Sequence, residues 1–365
     1  MTSSELLAVD AKWRADLRRR LLHWFDRNAR DLPWRRDPTP YHVWVSEIML
    51  QQTQVATVVS YYERFLAAFP TVQSLAAADE PALMRIWEGL GYYRRARLMH
   101  QAAKRIVDEH GGEFPQDYET VLSLPGIGRY TAGAVLSISS DKKLPILEGN
   151  TVRVYSRWVA MTEDVKSQAG ISRLWQIAEL MLPKSGAGRF NQAAMELGAL
   201  ICKPISPRCN DCPVSKNCEA FRLGSQEAIP GKVTKMTYED RREFAFVIPN
   251  ETEDAWLMYR VPEGERWAGL WDFPRSIDGV AKTAKEAALQ ISRRTGLPIE
   301  ASGRLTNIKH AVTRFRITLN VFAAKPVNSA ELLATGEYHF ATLAELESLP
   351  LSVTGRKIAD RQSQK

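Results

Sequence analysis

The chain has 365 residues, 45% hydrophobic and 25% charged, a globular composition with enough apolar material for two cores. A formal net charge of +7 suits a polyanionic partner. Met1-Thr-Ser-Ser-Glu-Leu-Leu7 has no apolar core of a secretory signal, and no stretch approaches the roughly 18 uninterrupted apolar residues of a membrane span, so neither secretion nor membrane insertion is expected.

From Asp10 to about Leu223 the pattern is helical, with proline and glycine between the runs. The string Val43-Trp-Val-Ser-Glu-Ile-Met-Leu50 sets Glu47 among apolar residues, and burial there would raise its pKa above the usual carboxylate range. Tyr61–Phe69 and Leu83–Leu90 repeat at helical spacing. Gly91-Tyr92-Tyr93-Arg94-Arg95, glycine and arginines around an aromatic pair, reads as a loop facing nucleic acid. Leu124-Pro-Gly126-Ile-Gly128-Arg129-Tyr130 lies between two helical stretches. Its proline starts a tight turn, and its glycines let the backbone approach a phosphate closely, so a helix–hairpin–helix is expected. In Pro145-Ile-Leu-Glu148-Gly-Asn150-Thr151, Asn150 reads as the N-cap of the next helix, which would hold the Glu148 carboxylate in its charged form.

Cys202, Cys209, Cys212 and Cys218 are the only cysteines and fall in one short run. Disulfides fit poorly without a secretory signal. Zinc is possible, but Cys202 to Cys209 is too wide for a zinc knuckle, and the spacing favours a 4Fe–4S cluster. Around Gly224 to Arg242 the composition turns polar, and beyond it the pattern becomes strand-like, at Glu243–Ile248, Ala255–Tyr259 and Phe315–Phe322, with a helical run from Ala281 to Thr295. The expected organisation is a mainly α domain over residues 10–224, a linker over 225–242 and an α+β domain over 243–360.

The hairpin, an acidic residue about 20 positions after it, the four cysteines, the Val43–Val55 string and the C-terminal domain together resemble the MutY family of adenine DNA glycosylases, within the endonuclease III superfamily, over nearly the whole chain. The resemblance implies a two-lobed helical domain with an iron–sulfur loop, followed by a Nudix-like domain suggested by Arg266–Pro274 and Ala281–Leu297. It implies a monomer, at the nucleoid in the cytoplasm. Its partner would be double-stranded DNA with adenine mispaired to 8-oxoguanine or guanine, and its reaction hydrolysis of the adenine glycosidic bond in base-excision repair.

By the same resemblance Glu47 is the general acid and Glu148 the anion beside the developing oxocarbenium, a pairing that needs two carboxylates in different protonation states. Tyr130 bonds near the carboxylates, Asn150 positions water or sugar, and Arg35 and Gln192 contact the extruded adenine. Gln52 and Tyr92 wedge into the duplex, while Leu124, Gly126, Gly128 and Arg129 grip its backbone. His310, Val312, Thr313 and Arg314 form the lesion-inspecting loop, and the cysteines hold the cluster.

The chain also departs from the family. Tyr130 replaces the lysine of the lyase branch and cannot form an imine, which argues against a bifunctional lyase. Glu148 replaces the usual aspartate, moving the carboxylate by about 1 Å. Val312-Thr313-Arg314 replaces Phe-Ser-His, so a homologue that binds mismatches with altered specificity or without catalysis is the competing reading. Arg293 and Arg294 stand where a working Nudix enzyme has metal-binding glutamates, a change that suits phosphate instead.

Overall fold

The computed structural model describes residues 10–231, 237–276, 279–327 and 337–364. The Met1–Leu7 string and residues 232–236 of the expected linker lie outside the described residues.

Helix α1 (Ala11–Asn28) begins where the Asp10 carboxylate accepts from the backbone of Lys12 and Trp13. Its stripe of Leu17, Leu21 and Phe25 packs into a core with Tyr155, Trp158, Phe190 and Leu197. After the short α2 (Pro33–Arg36), α3 (Pro40–Leu50) is capped by Thr39 and buries Tyr41 and every residue from Val43 to Met49. A helix buried all round is a core helix, and Glu47 is the one charged residue in it. Then follow α4 (Val55–Ala68), α5 (Val72–Ala77), α6 (Glu80–Trp87), α7 (Arg94–His110) and α8 (Tyr118–Ser123). The turn after α8 leads to α9 (Arg129–Ser140), and α10 (Gly149–Trp158), α11 (Gln168–Met181), α12 (Ala187–Leu200) and α13 (Glu219–Arg222) follow.

The chain forms two compact units that no single linear cut separates: Ala78–Ala96 belongs with Lys235–Lys365 rather than with the helical sequence around it. Two polar contacts tie this segment to the C-terminal sequence. Glu88, at the end of α6, accepts from Arg356 at 2.8 Å, and Arg85 donates to the carbonyl of Glu347 at 3.0 Å. Strand β1 (Glu239–Val247) starts inside the stretch expected to be linker, because Glu239 already pairs with Phe315 in a parallel ladder, and further on alternate residues from Phe244 to Ile248 feed two opposite apolar clusters. A strand buried on both faces reads as a continuous apolar run rather than as an alternation.

The second unit continues with β2 (Ala255–Arg260), β3 (Trp271–Asp272), β4 (Arg275–Ser276), α14 (Ala284–Thr295), β5 (Ile299–Val312), β6 (Phe315–Pro326) and β7 (Tyr338–Thr342), then α15 (Leu343–Ser348) and α16 (Val353–Gln362). One sheet has the order β4-β1-β6-β5 and the other β3-β2-β7. Strand β1 runs parallel to β6, from Glu239↔Phe315 to Val247↔Ala323. Strands β5 and β6 close as a hairpin at Val312↔Phe315, with Thr313 at φ +51° in the turn.

Candidate active site

Helices α3, α9, α10 and α12 of the helical unit surround a cavity of about 630 Å³. Its walls include Glu47, Tyr130, Glu148 and Asn150, together with Arg35, Gln52, Gly126, Gly128 and Gln192. Residues scattered over more than 150 positions thus meet in one concave site of small-ligand size.

Glu47 and Glu148 face this cavity in different settings. Burial in α3 pushes the Glu47 carboxyl up to about 7, although the Tyr130 hydroxyl donates to its Oε2 and pulls the other way. Burial and the two carboxylates keep the Tyr130 phenol far above its ordinary pKa, so it remains a donor. Glu148 has extended backbone (φ −138°) and is itself the N-cap of α10, its carboxylate accepting from the backbone of Asn150 at 2.8 Å and Thr151 at 2.9 Å. The Thr151 hydroxyl completes a capping box by accepting from the Glu148 backbone at 2.8 Å.

This corrects two expectations. Asn150 is not the cap: it sits inside the first turn, where its Nδ2 also donates to Glu148 at 3.2 Å. The Glu148 pKa is not lowered but raised, because burial outweighs the backbone N–H groups and nearby Arg153. Asn150 is fixed from behind by Arg153, whose guanidinium reaches Asn150 Oδ1 and the Gly198 carbonyl, both at 2.8 Å, and the Cys202 carbonyl at 2.7 Å. Gly198 permits this packing, since a Cβ there would stand 2.6 Å from Asn150 Cβ.

Glu196 is a site residue that the sequence reading missed. It lines the same cavity, is 1% exposed, and takes a fork from Arg30 (2.8 and 2.7 Å) and a bond from Arg35 (3.0 Å). Burial would raise its pKa, but these guanidiniums outweigh burial and hold it at about 2. Because the folded pKa is depressed, the stabilisation is present above about 4.5 and lost as pH falls through about 2. Glu196→Gln leaves two arginines uncompensated and is expected to destabilise the fold by about 3 kcal/mol at pH 7, measured by urea denaturation.

The Leu124–Arg129 hairpin joins α8 to α9. Gly126 takes φ +76°, and Gly128 caps α9 without a side chain, leaving first-turn N–H groups directed outward. Leu124 is 2% exposed, so its side chain belongs to the core and only its backbone serves the turn. Arg129 stacks on Trp175 at 3.9 Å. Gln52 is exposed at φ +58° on the cavity rim. Tyr92, 48% exposed at φ +48°, lies in the segment that groups with the second unit.

Cys202, Cys209, Cys212 and Cys218 are all free thiols and line one further cavity of the helical unit. Among the described residues no group of three or more His, Cys, Asp or Glu side chains is arranged to hold a metal ion. The donor chemistry nonetheless suits a four-thiolate group: Arg157 reaches Cys202 Sγ at 3.3 Å, and its guanidinium also donates to the carbonyls of Lys203 and Ile229, both at 2.8 Å.

In the second unit, the Thr313 hydroxyl donates to the Val312 carbonyl at 2.7 Å, and Arg314 lies over Phe315 at 5.1 Å. His310 stacks against Trp267 with both ring nitrogens buried, and burial lowers its pKa to about 4. Strand β5, which carries His310 and Val312, is an edge strand.

Residues 45–179 match the HhH-GPD superfamily of base excision DNA repair proteins, and residues 244–361 match the NUDIX domain. The chain is 46% identical over 226 residues to the adenine DNA glycosylase of Rattus norvegicus, covering 59% of this chain and 44% of that protein. To the adenine DNA glycosylase of Buchnera aphidicola subsp. Acyrthosiphon pisum (strain APS) it is 35% identical over 301 residues, 82% of this chain and 84% of that protein. The chain thus spans less than half the length of the rat and mouse relatives and most of the Buchnera one. A thermostable thymine-DNA glycosylase structure is 27% identical with TM-score 0.53, covering 58% of this chain and 98% of that one. A non-covalent endonuclease III–DNA complex, 21% identical with TM-score 0.51 over 61% of this chain and 99% of that one, shares the fold. No described helix is long and apolar enough to cross a membrane.

Proposed function

Because the chain belongs to the adenine DNA glycosylase family, we propose that it binds duplex DNA and hydrolyses the glycosidic bond of adenine mispaired with 8-oxoguanine or guanine. One observation carries the reading: Glu47 and Glu148 face one cavity, one on an apolar helix and the other on a helix N-terminus. Burial raises both carboxyls, but at Glu148 two backbone N–H groups and Arg153 oppose it, which assigns Glu47 as the acid and Glu148 as the anion.

Glu47, protonated near neutral pH, gives its proton to adenine N7, and Tyr130 orients it by donating to Oε2. As the bond to adenine lengthens, positive charge grows on the sugar beside Glu148, whose carboxylate is already fixed by two backbone N–H groups. Asn150, clamped by Arg153, positions the attacking water or the sugar. Arg35, fixed by Glu196, and Gln192 contact the extruded base. Gln52 and Tyr92 fill the gap it leaves, and the N–H groups around Gly126 and Gly128 take a phosphate. With tyrosine at position 130 no imine forms, so the product is an abasic site. Thr313 and its neighbours in the β5–β6 turn inspect the base opposite.

Cys202, Cys209, Cys212 and Cys218 would hold a 4Fe–4S cluster, which supplies a structural clamp for the loop gripped by Arg153 and Arg157. Protein purified without oxygen is expected to carry about four irons per chain and to lose them with the visible absorbance in Cys212→Ser. Zinc as the sole metal in fresh protein would overturn this assignment.

The functional test uses duplexes with A:8-oxoguanine, A:G and A:T, cleaved with alkali after incubation. Abasic product is expected from the first two and no borohydride-trapped adduct from any. Intact binding with no abasic product would instead support the non-catalytic reading.

A further inference from the structure

In the usual capping box a serine or threonine caps the helix, and a glutamate three residues on reaches back to it. At the start of α10 the order is reversed: Glu148 is the cap and Thr151 is the residue three on. Glu148 lines the cavity, whereas Thr151 is fully buried and is not one of the lining residues. We propose, on the reading that Glu148 is the anion of the reaction, that Thr151 is a positioning residue for adenine release: its hydroxyl fixes the Glu148 main chain so that the carboxylate stays where positive charge grows on the sugar.

The geometry depends on the hydroxyl. Thr151 Oγ1 accepts from the Glu148 N–H at 2.8 Å and donates to the Glu148 carbonyl at 3.1 Å, so one side chain holds both polar groups of that backbone. The backbone N–H of Thr151 donates to Oε1 at 2.9 Å. Asn150 secures Oε2 from its backbone at 2.8 Å and from its side chain at 3.2 Å. Glu148 is thus held at its main chain and at both carboxylate oxygens. The favoured caps are short side chains, serine, threonine, aspartate and asparagine. A glutamate cap has an extra rotatable bond to order, and anchoring its main chain removes part of that freedom. The anchoring matters because a misplacement of about 1 Å at a reacting group can cost on the order of 100-fold.

The hydroxyl also bears on the charge. Burial raises the Glu148 pKa, and the backbone N–H groups of Asn150 and Thr151, then Arg153, then the Thr151 hydroxyl, oppose it. The other titratable groups that act on Glu148 are Glu47 on α3, Tyr130 on α9 and Tyr155 on α10. Glu196 on α12 lines the same cavity and is engaged by Arg30 and Arg35. A substitution at Thr151 leaves all of these groups in place, so a change at Glu148 reports on the hydroxyl.

Two measurements on the full chain test the proposal. In single-turnover adenine release, Thr151→Val is expected to be about tenfold slower than wild type and Thr151→Ser within about twofold, with duplex affinity unchanged in both. In the Glu148→Gln background Thr151→Val should cost nothing further, because the hydroxyl acts through the carboxylate. Carbon-13 NMR titration of glutamate-labelled protein gives a readout free of turnover. The Glu148 carboxyl, assigned by its absence from Glu148→Gln, should titrate at higher pH in Thr151→Val and at the wild-type pH in Thr151→Ser. A second variant without the hydroxyl, Thr151→Ala, guards against misfolding of the first and is expected to behave alike. An unmoved Glu148 titration in these variants overturns the proposal whatever the rates, and so does equal slowing with Glu148 and with glutamine at that position. A fast wild type, a slow Glu148→Gln and a Thr151→Val as fast as wild type overturn the proposal alone. Equal release by wild type and Glu148→Gln overturns the anion reading and the proposal with it.

Discussion

Replacing Glu47 by glutamine is expected to slow single-turnover adenine release by about 100- to 10,000-fold, the range supplied by a positioned general acid. The amide keeps the shape and still accepts from Tyr130 but has no proton to give. The wild-type pH profile checks the same assignment independently. Glu47 acts as an acid only while protonated, and burial places its pKa at about 7. Release should therefore fall about tenfold per unit above that pH, and fall again in acid where Glu148 takes up its proton, while the residual rate of Glu47→Gln lacks the step near 7. A wild-type rate that climbs with pH through 7 would sink the assignment.

The same pKa has a consequence for stability. The folded value lies above the unfolded one, so the folded protein bears the burden of an ionised buried carboxylate at high pH and none of it at low pH. That burden is lifted below about 4.5 and complete above about 7, where it amounts to about 3 kcal/mol. Glu47→Gln is expected to be more stable than wild type at pH 8 by up to that amount and indistinguishable from it near pH 4.5. Inactivity combined with greater stability separates a catalytic group from a structural one.

The parts of the site that short motifs encode were legible in the sequence. Glu47 stands in an apolar helix, Gly126 and Gly128 in a turn string, and Glu148 just before a helix, and all reach one cavity. Glu196 was not legible because its partners Arg30 and Arg35 lie 166 and 161 positions away, and no local pattern links them. Asn150 was misassigned as the cap because two residues apart both Glu148 and Asn150 can cap a helix. The extended backbone at Glu148 and the reach of its longer side chain decide between them. Helical periodicity over Leu83–Leu90 found a helix, which ends at Trp87, but not which core it joins, since Glu88 meets Arg356 268 positions later. The strands β3 and β4, two residues each, are too short to carry any alternation.

Glu148→Gln is expected to lower adenine release by about 1,000-fold, comparable to removing one preorganised group that stabilises transition-state charge. Both carboxylate oxygens of Glu148 are engaged, Oε2 by the Asn150 backbone and Oε1 by the Thr151 backbone. An amide offers one acceptor and turns its NH₂ toward the other N–H group, so the side chain must swing away and the charge is lost as well. Losing the cap should also cost about 1 kcal/mol of stability, too little to explain the rate. Glu148→Asp separates these effects, because aspartate keeps the charge and caps helices well but draws the carboxylate back by about 1 Å. Its rate is expected to stay within about 100-fold of wild type, well above that of Glu148→Gln, with the melting temperature preserved. Equal rates for wild type and Glu148→Gln would move the anion elsewhere. A Glu148→Asp rate as low as that of Glu148→Gln would mean that carboxylate position, rather than charge, limits the reaction.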